Sequence, residues 1–246
     1  MVKICVAGAC GKMGRRIADL AGKDPEIKIV SLLESPDCPH VGETVEKVPG
    51  SGDSVISVIS ESGEAFSGVD CVIDFTLPEP TLEHLQECVK RSVGIVIGTT
   101  GFSPESELSI REASREIPIV FSPNMAVGVN IVFKVVSDIC GAMGKGLRVK
   151  VDETHHVHKK DSPSGTAKKI VSCIKETCGV EPRVEVFREG EVIGEHGIVF
   201  DSEFEKIELR HSAKDRDVFA AGALRAAKFV KGKPPGLYSM ADVLGI

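Results

Sequence analysis

The sequence K-I-C-V-A-G-A-C-G-K-M-G, from Lys3 to Gly14, decides the fold of the first half of this 246-residue chain. It begins as a short run rich in strand formers and continues into three glycines spaced G-x-x-G-x-x-G. A segment with helical periodicity follows to Ala21, and a second apolar run, Ile27 to Leu33, leads into Glu34. A strand, a glycine turn, a helix, a second strand and an acid, in this order, are typical of the opening of a dinucleotide-binding fold.

The residue types in this opening fit the chemistry of such a ligand. Glycines let the backbone pass close to a pyrophosphate, which binds at the N-terminus of the helix. Glu34 follows Gly14 by 20 residues, the distance expected for the carboxylate that accepts hydrogen bonds from the adenosine ribose. The glycine spacing departs from G-x-G-x-x-G, and a tight strand–helix turn without a ligand is the alternative interpretation.

Further strand-like runs alternate with helix signals up to about residue 125. Pro80 or Thr81 opens one predicted helix, and Ser103 caps another that begins at Pro104, where proline is favourable. The predicted strands are Ser54 to Ile59, Val69 to Phe75, Gly94 to Ile97 and Ile117 to Phe121. This alternation predicts a parallel sheet, which binds ligands in the loops that follow its strands.

Those loops form one predicted rim at the carboxyl ends of the strands. The candidate cofactor-binding residues on it are Gly8, Ala9, Cys10, Gly11, Lys12, Met13, Glu34, Gly98, Thr99, Thr100, Ser122, Pro123, Asn124 and Met125. Asp74 to Thr76 lie on the same rim. Each of these segments, taken alone, could be an ordinary turn.

The pattern changes after Met125. Helical periodicity is found in Val127 to Met143 and Gly165 to Thr177, and strand patterns in Leu147 to Glu153, Val184 to Arg188, Gly197 to Asp201 and Phe204 to His211. We therefore expect an α/β protein with a Rossmann-type parallel sheet domain and a smaller α+β domain with a mixed or mostly antiparallel sheet. The helix predicted at Asp217 to Val230 returns to the first domain, so the expected domains are residues 1–125 with 217–246, and residues 126–216.

The smaller domain carries the most reactive stretch, E-T-H-H-V-H-K-K-D-S-P-S-G-T-A, from Glu153 to Ala167. Its lysines supply positive charge, and the N–H groups of Gly165 and Thr166 at a predicted helix N-terminus can bind carboxylate oxygens. Histidine exchanges protons near neutral pH, and so does lysine when burial lowers its pKa. The alternative interpretation is an ordinary solvated basic loop. A metal site at His155, His156 and His158 is disfavoured, because no second Cys/His cluster supports it.

Composition excludes several classes of protein. The net charge is −6, and tryptophan is absent, so neither a general nucleic-acid surface nor aromatic base stacking is expected. The apolar runs are far shorter than the roughly 20 residues of a membrane span. Eight cysteines are scattered without regular spacing, which favours reduced thiols in a cytoplasmic protein.

Six motifs together carry a resemblance to a known family. They are G-A-C-G-K-M-G-R at Gly8, D-F-T at Asp74, G-T-T-G-F at Gly98, P-N-M-A-V-G-V-N at Pro123, the stretch Glu153 to Ala167, and R-H-S-A-K-D-R-D-V-F-A-A-G-A at Arg210. Over essentially its whole length the chain resembles the 4-hydroxy-tetrahydrodipicolinate reductase, or dihydrodipicolinate reductase, family of diaminopimelate and lysine biosynthesis. The string H-H-x-H-K-x-D-x-P-S-G-T is the most specific of these signals.

The resemblance implies an NAD(P)H-dependent oxidoreductase that reduces a cyclic imine dicarboxylate. It implies that His155 and Lys159 are the catalytic acid/base pair and that His156, Gly165 and Thr166 hold the substrate. It also implies that the candidate cofactor-binding residues named above, without Asp74 to Thr76, contact the cofactor. It also implies a homotetramer built through the sheet of the second domain. From the histidine spacing, we expect no metal. The chain departs from some members at Ser35, where a basic residue can follow the acid, and at Lys160, which is often not basic.

The expected cofactor is NADH, with NADPH tolerated. Glu34 repels a 2′-phosphate unless a cation lies beside it, and the next residues, Ser35 to Asp37, include none. Lys12, Arg15 and Arg16 in the glycine loop and first helical turn are the cations that could reverse this preference.

Other functions remain as alternatives. One is a different two-domain NAD(P)-dependent oxidoreductase, although an enzyme that forms a thiohemiacetal needs a cysteine at the domain junction, and Ser122 to Met125 contain none. Another is a non-catalytic NAD(P)-sensing protein, which would have no reason to keep a His/Lys cluster facing the nicotinamide.

Overall fold

The computed structural model describes residues 1–45, 56–144 and 146–246. Its strands are β1 (Val2–Ala7), β2 (Ile27–Leu33), β3 (Thr44–Val45), β4 (Ile56–Ile59), β5 (Cys71–Asp74), β6 (Gly94–Ile97), β7 (Pro118–Phe121), β8 (Arg148–His155), β9 (Arg183–Arg188), β10 (Glu195–Asp201), β11 (Lys206–Ser212) and β12 (Gly236–Tyr238). Its helices are α1 (Lys12–Ala21), α2 (Ser62–Ala65), α3 (Pro78–Arg91), α4 (Pro104–Ala113), α5 (Val127–Met143), α6 (Gly165–Cys178), α7 (Asp217–Val230) and α8 (Met240–Leu244).

The chain divides into two compact units. The first comprises Met1–Met125 and Phe219–Gly245, and the second comprises Ala126–Val218 together with Ile246. Within the described ranges, none of the helices is both long enough and apolar enough to span a bilayer.

The first unit contains the sheet β12-β7-β6-β5-β1-β2-β4-β3, in which seven strands are parallel and β3 pairs antiparallel with β4. From β1 the chain runs outward to β2 and β4, then returns to β5 on the other side and continues to β6 and β7. This is the Rossmann-type order, and its change of direction between β1 and β5 is where such sheets bind ligands. The predicted fold class is confirmed.

The alternating direction of side chains along β1 separates the two layers of this unit. Ile4 and Val6 belong to one apolar cluster, and Cys5 and Ala7 belong to the other. All four are fully buried, because helices cover both faces of a parallel sheet. The first cluster also contains Ala220, Ala223, Leu224, Ala226, Ala227 and Val230 of α7.

Small residues let α7 pack closely in this cluster. A Cβ atom added at Gly222 would lie 1.8 Å from the carbonyl oxygen of Met125, far inside van der Waals contact. The glycine is therefore required by packing against the backbone rather than by a left-handed conformation.

The second unit contains the sheet β11-β10-β8-β9. β10 is antiparallel to both neighbours and β9 is parallel to β8, so the sheet is mixed, as predicted. α5, α6 and one face of the sheet enclose a separate apolar core that includes Val149 and Val151 of β8. The two-residue period that buries these valines also carries Glu153 and His155 to the same face.

Most element boundaries match the sequence pattern, and the differences have local causes. α3 begins at Pro78, earlier than predicted, because its first turn tolerates residues without an N–H group, including Pro80. The sequence analysis missed β3, α2, β12 and α8, which are two to five residues long. The strand predicted at Ser54 to Ile59 is observed from Ile56, and residues 54–55 lie outside the described ranges.

Replacing Gly222 by alanine tests the packing of α7. We expect Gly222→Ala to lower the free energy of unfolding by about 3 kcal/mol, because the new methyl group must displace either the helix or the Met125 backbone. Gly141→Ala in α5 is the matched control: its nearest contact would be an ordinary 3.8 Å, and alanine stabilises a helix by up to about 1 kcal/mol over glycine. Thermal unfolding followed by circular dichroism measures both, and equal melting temperatures would contradict the packing argument.

Candidate active site

The glycine loop after β1 is held tightly against β5 and α1. Gly8 has φ +73°, and a Cβ atom there would lie 3.1 Å from Cγ2 of Thr76, which follows β5. A Cβ atom at Gly14 would lie 2.1 Å from the carbonyl oxygen of Gly8. Both positions therefore require glycine, and the loop lies at the change of direction between β1 and β5.

Glu34 lies directly beside this loop. Its Oε1 accepts a hydrogen bond from the backbone N–H of Cys10 at 2.7 Å, and its Oε2 accepts one from the N–H of Ser35 at 3.1 Å. Gly8 and Ala9 donate their N–H groups to the Leu33 carbonyl, which fixes the loop on the end of β2. The structure thus brings together the two parts of the predicted nucleotide site.

An open groove of about 570 Å³ runs from this loop. Its lining includes Gly8, Gly11, Phe75 and Thr76, and three carboxylates, those of Glu34, Glu61 and Glu83. Among the described residues that line it, His84 is the basic side chain, and neither lysine nor arginine is present. A groove with this lining suits a ligand that offers hydroxyl groups rather than a second phosphate at that end.

Asp74, at the end of β5, organises a polar network beneath the groove. Its fully buried carboxylate accepts hydrogen bonds at Oδ1 from the hydroxyls of Thr76 (2.6 Å), Thr81 (3.1 Å) and Thr99 (3.3 Å), and at Oδ2 from Nδ1 of His84 (2.7 Å). Burial raises the pKa of Asp74, but the bonds from His84 and Thr76 outweigh it and hold the pKa below its ordinary value. Asp74 was predicted to lie on the rim, but Thr81 and His84 were not predicted as its partners. Their only sequence signal was their position in the helix after D-F-T.

The remaining rim segments meet at the ends of β6 and β7. The N–H of Gly98 donates to the Asp74 carbonyl, and the ring of Phe75 fills the space that a Gly98 side chain would need. Ser122 donates its N–H to the Ile97 carbonyl and its hydroxyl to the Asn124 carbonyl. Ala9 and Met125 are buried, Met13 packs against the core, and Lys12, Thr100 and Pro123 are exposed.

In the second unit, Glu153 is the centre of a buried polar cluster. It has no exposed surface, and its Oε1 accepts a hydrogen bond from the N–H of Ser164 at 2.9 Å. Its Oε2 lies 3.4 Å from Nδ1 of His155 and 3.8 Å from Nε2 of His196. Nη2 of Arg188 lies 3.6 Å from Oε1. The sequence analysis named only His155 of these groups as functional.

Strand register explains why these side chains meet. His196 of β10 is paired with Glu153 of β8 on one side and with His211 of β11 on the other. Arg188 of β9 is paired with His155. Burial, followed by the charges of neighbouring groups, lowers the pKa of His196 to about 3, and burial also lowers the pKa of His155, although the Glu153 charge opposes that shift. His196 is therefore neutral at physiological pH.

The loop between β8 and α6 carries the predicted substrate residues. Lys159 donates to Oδ1 of Asp161 at 2.8 Å, and the N–H of Gly165 also bonds the Asp161 carboxylate. Burial acts to raise the pKa of Asp161, but its bonds to Lys159 and to backbone N–H groups keep that pKa below its ordinary value. Lys159 and the first turn of α6 thus already hold one carboxylate.

The other predicted residues surround this loop. Ser164 is the N-cap of α6, and its hydroxyl accepts the Ala167 N–H at 3.1 Å. Gly165 is exposed, with open space where a side chain would be, and Thr166 is half-buried. His156 is half-buried, and its Nδ1 has no hydrogen-bond partner among the described residues.

His155 and Lys159 do not share a helical face. β8 ends at His155, and residues 156–164 form a loop that returns to α6. The charge of Lys159 nevertheless contributes to lowering the His155 pKa, which places the two groups within electrostatic reach.

Of the three histidines considered for a metal site, His155 belongs to a cluster with metal-like spacing, and His158 does not. His158 is exposed at 76% of its side chain and lies 3.8 Å from Glu191. A different set, Glu153, His155 and His196, has donor atoms within 4.8 Å of one another, a spacing that could accommodate a divalent ion. The absence of a metal therefore stays a prediction.

Comparison with known proteins places both units in one family. The family models described as dihydrodipicolinate reductase, N-terminus and C-terminus, match residues 2–125 and 128–244. Two curated relatives are called 4-hydroxy-tetrahydrodipicolinate reductase: that of Anaeromyxobacter dehalogenans is 38% identical, covering 100% of this chain and 98% of the relative, and that of Geotalea daltonii is 39% identical, covering 100% of both.

Two solved structures resemble this chain in fold. One is a dipicolinate-bound dihydrodipicolinate reductase from Paenisporosarcina sp. TG-14, with a TM-score of 0.82, 24% identity and 98% of each chain covered. Another is an amine dehydrogenase from Mycobacterium smegmatis, with a TM-score of 0.69, 12% identity, and 97% and 95% of the two chains covered.

The neutral, buried His196 makes stability depend on pH. Its pKa in the folded chain, about 3, is below the ordinary 6.5, so the unfolded chain binds more protons between these values and stability falls as pH decreases through this window. We expect the His196 contribution alone to cost on the order of 2 kcal/mol between pH 7 and pH 5. His196→Gln should flatten the pH dependence of the unfolding free energy, whereas His158→Gln, at an exposed position, should leave it unchanged. Parallel slopes for wild type and His196→Gln in urea unfolding at pH 5–7 would contradict this.

Proposed function

The chain belongs to the dihydrodipicolinate reductase family, and we propose that it reduces 4-hydroxy-tetrahydrodipicolinate to tetrahydrodipicolinate with NAD(P)H, in diaminopimelate and lysine biosynthesis. The match of both family models, over residues 2–125 and 128–244, carries this proposal. The buried His/Glu cluster and the carboxylate-binding loop of the second unit support it, because the substrate is a dicarboxylate that must accept both hydride and a proton.

The first unit fits a dinucleotide. The glycine loop leaves no room for side chains at Gly8 and Gly14, as close approach to a pyrophosphate requires, and the open groove leads from it past Glu34. When bound, NADH or NADPH supplies the hydride. We assign Glu34 to the adenosine ribose, and the loops at Gly98–Thr100 and Ser122–Met125 to the rest of the cofactor site.

The second unit supplies the proton. Hydride addition to a conjugated imine leaves negative charge on carbon or nitrogen, and a nearby acid must neutralise it. We assign this step to His155 and Lys159. Because burial favours the neutral form of His155, its protonated form gives up the proton readily. The Glu153 carboxylate stabilises the charged imidazolium before the proton is transferred.

The substrate carboxylates belong at the first turn of α6. Backbone N–H groups of Gly165 and Thr166 and the side chains of Lys159 and His156 offer donors and positive charge to an anion. Asp161 holds the Lys159 and Gly165 donors in this structure, so its carboxylate has to turn away for a substrate carboxylate to replace it. A site that already binds a carboxylate is suited to exchange it for another.

The two units have different roles in the proposed function. Residues 1–125 and 217–246 form the cofactor domain, and residues 126–216 form the domain for substrate binding and assembly. We also propose a homotetramer built through the sheet of the second unit, where Phe187 of β9 is exposed at 49%, and Phe204, in the turn between β10 and β11, is exposed at 89%. Location in the cytoplasm is supported by the eight cysteines, all of which are free.

A different two-domain oxidoreductase or an NAD(P) sensor is less well supported. The amine dehydrogenase of Mycobacterium smegmatis shares the fold at 12% identity, which says nothing about activity. A sensor would have no need of a fully buried carboxylate beside buried histidines, which costs stability.

An assay with NADH and freshly generated 4-hydroxy-tetrahydrodipicolinate, followed at 340 nm, tests the activity. We expect His155→Ala and Lys159→Ala each to lower kcat by about 10²–10⁴-fold with little effect on the Kd for NADH, because both residues lie in the second unit. His158→Ala, an exposed neighbour on the same loop, is the control and should retain activity. Near-wild-type kcat in either variant would remove that residue from the mechanism, and an inactive wild type would refute the function.

The cofactor preference is expected to be NADH over NADPH by several-fold, which is about 1 kcal/mol. Glu34, Glu61 and Glu83 make the groove unfavourable for a 2′-phosphate, and Arg15 is held along the loop by its Nε bond to the Cys10 carbonyl at 2.8 Å. Ser35→Arg should shift the ratio of kcat/KM values toward NADPH, and Ser35→Ala should not. Wild type favouring NADPH tenfold, or no gain in Ser35→Arg, would contradict the assignment.

A further inference from the structure

The carboxylate of Glu153 lies on the buried face of β8, next to the apolar core of the second unit. Val149 and Val151 precede it on the buried face of β8, and Ile198 and Phe200 continue that face on β10. A fully buried carboxylate is costly unless it is paired or hydrogen-bonded, and among the described residues the hydrogen bond to it comes from the N–H of Ser164. Its second oxygen, Oε2, has no hydrogen-bond partner among the described residues and faces two imidazoles, whose nearest nitrogens lie 3.4 Å and 3.8 Å away.

The two carboxylate oxygens of Glu153 lie next to two different parts of the proposed active site. Oε1 holds Ser164, the N-cap of α6, immediately before the Gly165–Thr166 turn. Oε2 is opposite Nδ1 of His155. Arg188 supports the same arrangement, because it approaches Oε1 and also donates to the Asp161 carbonyl at 2.6 Å in the substrate loop.

We propose that Glu153 is a positioning residue that orients the His155 ring and fixes the carboxylate-binding turn in register with it. This inference rests on the proposed function, in which His155 is half of the acid/base pair. With Oε2 of Glu153 3.4 Å from Nδ1 of His155, a proton on Nδ1 is favoured electrostatically, and this selects the tautomer whose Nε2 carries the exchangeable lone pair. Gly194 leaves that nitrogen uncrowded, since a Cβ atom there would lie 3.0 Å from Nε2.

The charge of Glu153 also sets the proton affinity of His155. Groups facing His155 come from the substrate loop (Lys159 and Asp161), from β9 (Arg188) and from β10 (His196), and His211 lies beyond His196 with ring centroids 6.2 Å apart. Glu153 and Asp161 raise the pKa of His155, whereas Lys159 and Arg188 lower it along with burial. Removing the Glu153 charge therefore shifts His155 further toward the neutral form.

Glu153→Gln tests the proposal with the shape and the Ser164 acceptor retained. We expect kcat to fall by roughly 10²-fold, the Kd for NADH to stay unchanged, and the limb of the pH–kcat profile set by His155 to move to lower pH. Glu153→Asp should recover part of the rate. Glu185→Gln, on β9 of the same sheet, is the control and should keep both kcat and profile. Unchanged kcat and profile in Glu153→Gln would overturn the proposal.

A second measurement on the wild type does not depend on how the variant folds. Nitrogen-15 chemical shifts of labelled histidine should show neutral His155 protonated at Nδ1, and the opposite tautomer would overturn the proposal. This result also separates the proposed function from the positioning role of Glu153. If the wild type is inactive but its neutral His155 is protonated at Nδ1, the proposed function is refuted and the positioning role is not.

A chelator distinguishes positioning from metal ligation. Dialysis against EDTA should leave kcat unchanged if Oε2 faces imidazole N–H groups. Loss of activity that Zn²⁺ restores would overturn the proposal, since Glu153, His155 and His196 would then be metal ligands.

Discussion

A carboxylate with no exposed surface, that of Glu153, joins the strand, the loop and the helix on which the chemistry of the second unit depends. It receives the N–H of Ser164 and faces Nδ1 of His155, so the end of β8 and the start of α6 are held by one side chain. Burying this charge destabilises the folded state. His196 beside it is neutral and adds no positive charge that would offset the cost. Buried charges of this kind are concentrated at sites where geometry matters more than stability.

The first unit also contains a buried carboxylate that joins several segments. Asp74 is also fully buried at the carboxyl end of a strand, and it collects hydrogen bonds from Thr76, Thr81, Thr99 and His84. These donors come from the loop after β5, from α3 and from the loop after β6. The first two of these segments line the groove beside the glycine turn. In each unit, a fully buried carboxylate at the end of a strand accepts hydrogen bonds from a segment that follows it in the chain.

The sequence predicted much of this architecture because its strongest signals are local. Glycine spacing, the cap Ser103 before Pro104 and the strict alternation in β8 depend only on neighbouring residues, and the Rossmann-type sheet and the mixed sheet were both predicted from such patterns. Short elements such as β12 and α8 were missed, although Ser239 and Asp242 form a capping box that could have revealed α8. The Glu153–His196 pairing could not be predicted, because it arises from strand register between residues 43 positions apart. His84 and Thr81 were missed for a similar reason, since only the tertiary fold turns their side chains toward Asp74.

We propose that the turn at Gly165 and Thr166, with Lys159 and His156, binds a planar dicarboxylate beside the acid/base pair. A crystal structure of the full chain with pyridine-2,6-dicarboxylate and NADH tests it most directly. The account predicts one carboxylate on the Gly165 and Thr166 N–H groups, Lys159 released from Asp161 to the ligand, and the nicotinamide facing the ring. A dicarboxylate bound elsewhere, with Asp161 still on Lys159 and Gly165, would contradict it.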